Sequence, residues 1–174
     1  MFPFRYSKAT DEQSALAAAA SGARYIAGGT TLVDLMRETV ERPEGLVDIN
    51  ALPYTSIELD PANLRVGSLV RMSELAAHPG VRQQIPMIAQ ALELSASAQL
   101  RNMASIGGNL MQRPRCLYFR DVSAACNRRT PGAGCAAIQK GVSIIPGLVL
   151  VGLTCGFQVI PAAIRSSATR GQQK

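Results

Sequence analysis

Two spacings of apolar residues alternate along this chain: helical runs of three and four, and short unbroken or alternating runs that suit strands. Residues 13–20 form an alanine-rich run opened by Asp11 and Glu12 and followed by Gly22, which predicts a helix with acids in its first turn. Residues 24–27 read as a short strand, broken by Gly28, Gly29 and Thr30. Residues 31–40 return to helical spacing, with Leu32, Leu35 and Met36 on one face, a hydroxyl at the N-cap and Asp34 three residues on. Residues 46–49 form a second strand closed by Asn50 and Pro53, so the first part reads as strand–loop–helix–strand.

Residues 56–59 and 64–69 flank Asp60, Pro61, Ala62 and Asn63, a hairpin turn. A short helix over 72–77 stops near His78, Pro79 and Gly80, and His78 is a polar residue at that helix end with no nucleophile paired to it. The next helix covers 86–96, apolar at Met87, Ile88, Ala91, Leu92 and Ala96. Helical periodicity is lost over 99–109, which delivers a second glycine pair, and residues 114–135 read as a loop rich in Gly, Pro, Asn and Arg. Asp34 and Glu38, one turn apart, read as a solvated helix face, and no acid–base catalytic set is visible.

Composition changes this picture little. With 174 residues, 47% hydrophobic and 17% charged, the chain is globular and long enough for one cored domain or two small lobes. The net charge of +6 would suggest nucleic acid if it were spread along a helix. Instead, residues 1–121 carry 12 basic and 12 acidic side chains, and residues 122–174 carry six basic and none acidic. No basic, aromatic-interleaved face accompanies the excess, so nucleic-acid binding is not expected. The N-terminus shows no signal peptide, and residues 142–159, though apolar, contain Pro146 and three glycines and are not read as a membrane anchor. The expected location is the cytoplasm, or the periplasm by export together with a partner.

Three features carry chemistry. The strand–Gly28-Gly29-Thr30–helix corner exposes backbone N–H groups with no helical acceptor, a cradle for an anion, although a Gly-Gly-Thr is by itself more often a tight turn. It has neither the dinucleotide Gly-x-Gly-x-x-Gly spacing nor a Walker lysine. Gly107-Gly108-Asn109 is a second such bend, with Ser105 and Asn109 adding side-chain polar groups. Two cradles together could hold the pyrophosphate and the ring end of one large cofactor. Cys116-x9-Cys126-x8-Cys135 fits neither zinc-finger nor ferredoxin spacing. It suits either a loop wrapped round a cubane cluster, its charge offset by Arg115, Arg128 and Arg129, or plain buried thiols.

Residues 26–36 (Ile-Ala-Gly-Gly-Thr-Thr-Leu-Val-Asp-Leu-Met), 47–50 (Val-Asp-Ile-Asn) and 99–113 (Gln-Leu-Arg-Asn-Met-Ala-Ser-Ile-Gly-Gly-Asn-Leu-Met-Gln-Arg) resemble the FAD-binding subunits of the xanthine dehydrogenase family. The cysteine segment that follows resembles the aldehyde oxidoreductase branch, whose flavin subunit also carries a 4Fe-4S cluster. The resemblance implies an α+β, two-lobed FAD-binding domain of the vanillyl-alcohol oxidase/CO dehydrogenase flavoprotein (PCMH) type. It assigns Ala27, Gly28, Gly29, Thr30, Thr31 and Leu32 to the FAD pyrophosphate, with Ile26 beside them as cofactor-binding. Ser105, Ile106, Gly107, Gly108, Asn109 and Leu110 fall toward the flavin, and Cys116, Cys126, Cys135 and, in the tail, Cys155 are the cluster ligands. The implied role is electron transfer from a 2Fe-2S small subunit through FAD to an external acceptor, with substrate oxidised at a molybdenum-cofactor large subunit.

The resemblance implies one lobe over 1–54, a second, partial, over 55–138, and an unmatched tail over 139–174. The tail's abrupt change of composition is read as a truncated or frame-shifted end, which sequencing the encoding DNA would decide.

Overall fold

The computed structural model describes residues 1–139. Five strands and nine helices lie among them: β1 (Arg5–Lys8), α1 (Glu12–Ala20), β2 (Arg24–Ile26), α2 (Leu32–Arg37), β3 (Gly45–Asp48), β4 (Ile57–Leu59), β5 (Leu64–Val66), α3 (Met72–Ala77), α4 (Pro79–Gln84), α5 (Pro86–Glu93), α6 (Ala98–Met103), α7 (Ile106–Leu110), α8 (Leu117–Arg120) and α9 (Ala136–Gln139). The tail, with Cys155 and the 142–159 apolar run, lies outside the described residues. Among those described, no helix is long and apolar enough to cross a membrane.

The first sheet is parallel, ordered β1-β3-β2, with β3 in the middle. Its central place explains the unbroken apolar run there: Gly45, Leu46 and Val47 are all buried, since both faces are covered. Strand β1 is legible in no hydrophobic pattern. All four of its residues are exposed, and it is held by backbone pairing along β3 from Arg5 opposite Gly45 to Lys8 opposite Asp48.

Helix α1 begins at Asp11, whose carboxylate accepts the Ser14 N–H (2.7 Å) while Ser14 Oγ accepts the Asp11 N–H (3.2 Å). It buries Ala15 in a core with Ala9, Val47, Leu52 and Leu69. Helix α2 is shorter than its spacing predicts. Thr39 takes a positive φ of 62°, and the N–H groups of Val40 and Glu41 both turn back to the Leu35 carbonyl. Nor does the expected hydroxyl cap form: the Thr31 side chain makes no capping hydrogen bond.

The second part is the β4–β5 hairpin, closed by Asp60 N–H to the Asn63 carbonyl (2.8 Å), and a layer of short helices. Val70, Met72, Leu75, Ala76, Val81, Ala89, Leu92 and Ile106 form its core. Each large aliphatic residue buried there contributes roughly 1.5–3 kcal/mol. Pro79 is the first residue of α4 instead of a terminator, because an N1 position has no intrahelical N–H bond to lose. His78 caps that helix, its Nδ1 accepting the Val81 N–H (3.4 Å). The glycine pair expected in a loop lies instead in the first turn of α7, after a break at Ala104 and Ser105.

Candidate functional site

Strands β2 and β3 run parallel and end side by side, where Ile49 N–H meets the Ile26 carbonyl (3.1 Å). The first glycine corner leaves the carboxyl end of β2, the edge of a parallel sheet at which ligands bind. Among the described residues, no protein acceptor takes the N–H groups of Gly28, Gly29, Thr30, Thr31 or Leu32; the first bond of the following helix is Val33 N–H to the Gly29 carbonyl (2.9 Å). Five successive donors are therefore available where the sequence places an anion cradle.

The glycines there have separate causes. Gly29 sits at φ +69°, a conformation L side chains rarely adopt. A Cβ on Gly28 would lie 1.8 Å from the Met103 carbonyl oxygen, so the two glycine corners touch back to back through this residue.

The second corner is chemically different. Ile106 N–H donates to the Val70 carbonyl (2.9 Å), Gly107 N–H to Ser68 (2.8 Å), and Asn109 N–H to Ser105 (2.9 Å). Gly108 N–H goes to the buried Ser105 Oγ (3.2 Å), which makes Ser105 a helix cap. The expectation of a second anion nest is therefore corrected, because these donors already serve the fold. One group remains: Asn109 Nδ2 is buried without a partner, while its Oδ1 accepts from Gln112 Nε2 (3.1 Å). A buried orphan amide is costly and points to an acceptor supplied by a ligand. Ile106 is buried beneath the corner, and Leu110 at its far end is half exposed. Five free N–H groups and one orphan donor suit a large cofactor with an anionic centre and an acceptor-rich ring.

The cysteine segment folds back on α2. Cys116 and Cys126 are buried with Leu35 and Phe119, and Cys135 lies opposite Cys126 across an isolated antiparallel bridge. All three are free thiols. Among the described residues, no three His, Cys, Asp or Glu side chains are gathered as a metal site. As arranged, Cys116 and Cys126 contribute to apolar packing while Cys135 is half-buried; Cys155 lies outside the described residues.

Two arginines of the segment have structural partners. Arg129 staples the segment's backbone, donating to the carbonyls of Tyr118 (2.9 Å), Phe119 (2.8 Å) and Ala124. Asp34 and Glu38 are not merely a solvated face, since Arg120 Nη1 binds both (2.7 Å each) and ties the segment to α2. Burial works against the Arg120 charge, but these two carboxylates outweigh it and raise its pKa.

Two further polar residues escape sequence reasoning. Asn50, in the Val-Asp-Ile-Asn stretch, donates to the Ala27 carbonyl (3.1 Å), and Arg71 bonds both Asn50 Oδ1 (2.8 Å) and the Met103 carbonyl (2.7 Å). With Thr55, Ile57, Leu69 and Glu74 they line an open cleft of about 370 Å³. A lone arginine between Val70 and Met72 carries no motif that could have signalled this.

Comparison with known proteins identifies the family. Residues 2–134 match the family of the FAD binding domain in molybdopterin dehydrogenase. The chain is 47% identical over 142 residues to the aldehyde oxidoreductase FAD-binding subunit PaoB of Escherichia coli (strain K12), covering 80% of this chain and 45% of that protein. It is 33% identical over 91 residues to the carbon monoxide dehydrogenase medium chain of Hydrogenophaga pseudoflava, covering 52% of this chain and 32% of that one. Among solved structures, quinoline 2-oxidoreductase from Pseudomonas putida 86 superposes with a TM-score of 0.59 at 29% identity, covering 63% of this chain and 40% of that one. The chain thus spans less than half the length of the relatives it matches. With the family match over most of its length and the fold in agreement, this chain belongs to the FAD-binding domains of the molybdopterin dehydrogenases.

Proposed function

We propose that this chain is the FAD-binding, electron-transferring part of a molybdenum-containing oxidoreductase of the aldehyde and xanthine dehydrogenase type. It acts with a molybdenum-cofactor large subunit and a 2Fe-2S small subunit. The observation that carries this reading is the run of five unpartnered N–H groups, Gly28 to Leu32, at the carboxyl edge of a parallel sheet in an FAD-binding family. Those donors hold the pyrophosphate, and Asn109 Nδ2 donates to the ring end. When bound, FAD supplies electron passage between iron–sulfur centres and an external acceptor. The residues themselves bind and orient: residues 1–54 supply the phosphate corner, and residues 55–138 the corner facing the flavin.

The juxtaposition of Cys126 and Cys135, with Cys116 in the same apolar cluster as Cys126, favours a second reading for the segment. In it, the thiols turn inward to ligate a 4Fe-4S cluster, with Cys155 as a candidate fourth ligand.

One preparation tests both readings. The purified chain, mixed with FAD and desalted, should retain flavin bands and show no aldehyde or purine oxidation by itself. Absence of retained flavin refutes the reading for this chain, and absence of iron and sulfide after anaerobic reconstitution refutes the cluster.

A further inference from the structure

Arg71 and Asn50 lie outside both glycine corners, yet their side chains join them. Arg71 Nη1 donates to the Met103 carbonyl, just ahead of the second corner (2.7 Å), and Nη2 to Asn50 Oδ1 (2.8 Å). Asn50 Nδ2 donates in turn to the Ala27 carbonyl (3.1 Å) and to Asp48 Oδ1 (2.6 Å). Asp48 also accepts the Asn50 backbone N–H (2.9 Å), and Tyr6 OH holds its other oxygen (2.6 Å). The Arg71 backbone is fixed as well, its N–H bound to Glu74 Oε2 (2.9 Å) and its strand-like bridge made to Ser105.

The chemistry of these groups gives the chain of bonds a direction. A guanidinium only donates, so Arg71 must face the oxygen of the Asn50 amide, which turns the NH2 end toward Ala27 and Asp48. A trans peptide points its C=O and N–H in opposite directions, and among the described residues there is no cis peptide. Once Asn50 holds the Ala27 carbonyl, the Gly28 N–H must face the other way. Without that bond, a peptide leading into two glycines is free to rotate. Rotation would offer a carbonyl oxygen, not a donor, to an approaching phosphate.

We infer that Arg71 and Asn50 are positioning residues for the FAD pyrophosphate: Arg71 sets the Asn50 amide, and Asn50 pins the Ala27 carbonyl so that the Gly28 N–H stays turned toward the anion. This rests on the FAD reading above and assigns it two residues outside the glycine corners.

The test uses the whole chain. In Asn50→Asp the Arg71 partner is kept and strengthened, but the donor to Ala27 is lost; in Arg71→Ala the amide is released. Both should weaken FAD and ADP binding at least tenfold while leaving riboflavin, which lacks the pyrophosphate, unaffected. Arg71→Lys, which cannot span both acceptors, should fall between. Unchanged FAD and ADP affinity, or an equal loss for riboflavin, overturns the inference while the FAD reading stands.

A second measurement depends on neither flavin nor the folding of a variant. In the unsubstituted chain, NMR should detect a scalar coupling from the Asn50 side-chain amide across its hydrogen bond to the Ala27 carbonyl carbon. Absence of that coupling overturns the proposal even if FAD binds; its presence, in a chain that binds no FAD, upholds the relay and rejects the functional reading.

Discussion

Replacing Gly28 by alanine should damage the fold before it touches the cofactor. The added Cβ would lie 1.8 Å from the Met103 carbonyl oxygen, 2.5 Å from its carbonyl carbon and 3.1 Å from Ala104 N, all backbone atoms that no rotamer change can move. A carbon and a carbonyl oxygen approach to about 3.3 Å at closest, so the corners must part by about 1.5 Å. That movement strains the bond from Arg71 to the Met103 carbonyl (2.7 Å) and from Met72 N–H to Ala104 (2.9 Å). Overpacking of this kind costs about 1–3 kcal/mol, and disturbing a charge-assisted hydrogen bond adds about 1.5 kcal/mol. The expected loss is thus on the order of 3 kcal/mol, a fall in Tm of roughly 6–12 °C for a domain of this size. Gly108→Ala is the matched control: its Cβ would meet only Ser105 Oγ at 3.0 Å, a shift of a few tenths of an ångström. Thermal unfolding of the flavin-free chain, followed by flavin titration, separates the two. Gly28→Ala should unfold early, whereas Gly108→Ala should keep its Tm and lose flavin affinity. Equal Tm for Gly28→Ala and the parent would refute the claim that the corners meet at Gly28.

Arg120→Ala should lower stability by about 1 kcal/mol, because Asp34 of α2 and Glu38 at its C-cap lose one shared, half-buried guanidinium; a urea titration reads this. Unchanged stability would mean that the cysteine segment is not anchored through Arg120. The pH dependence has a definite sign at Asp48. Burial raises its pKa, but the hydrogen bonds from Tyr6 and Asn50, aided by Lys8, outweigh that and leave it below the ordinary carboxylate value. A depressed native pKa favours folding above the unfolded value of about 3.9 and loses that contribution as pH falls through the native value. Urea stability measured downward from pH 5 should therefore drop less steeply in Tyr6→Phe than in the parent, and identical profiles would refute the linkage.

Periodicity revealed those elements whose burial is one-sided. Residues 72–77, where Met72, Leu75 and Ala76 face one core, match α3 at both ends, and the Asp60–Asn63 turn matches the hairpin. It missed β1, because Arg-Tyr-Ser-Lys is exposed throughout and its stabilisation lies in backbone pairing, which leaves no side-chain signature. It missed α4 because Pro79 and Gly80 read as breakers when only their position in the first turn decides the matter. The glycine corners were legible as motifs, but which donors stay free was not, since Ser68 and Val70 fill the second corner from another segment. Arg71 and Arg120 were invisible for a related reason: their partners are 21 to 86 residues away, and a single arginine carries no spacing.

The two glycine pairs look interchangeable in sequence, yet what lies behind each gives it a different polarity. The first follows the end of a strand, so its N–H groups face no protein acceptor; the carbonyl just before the pair is instead drawn back by Asn50. The second is backed by the 68–70 segment, whose carbonyls take the Ile106 and Gly107 N–H groups while Ser105 takes those of Gly108 and Asn109, which leaves one neutral side-chain amide. A row of free N–H groups favours a charged ligand group, because unpaired backbone donors gain most from an anion. A single buried amide favours a neutral acceptor, since a charge placed there would meet too few donors to offset its desolvation. Contact between Gly28 and Met103 then sets these two environments side by side, charged and neutral, in a fixed order. A ligand that satisfies both must carry an anionic centre joined to an uncharged, acceptor-bearing ring. Under the reading proposed above, that requirement orients FAD with its pyrophosphate at residues 28–32 and its flavin toward residues 105–110.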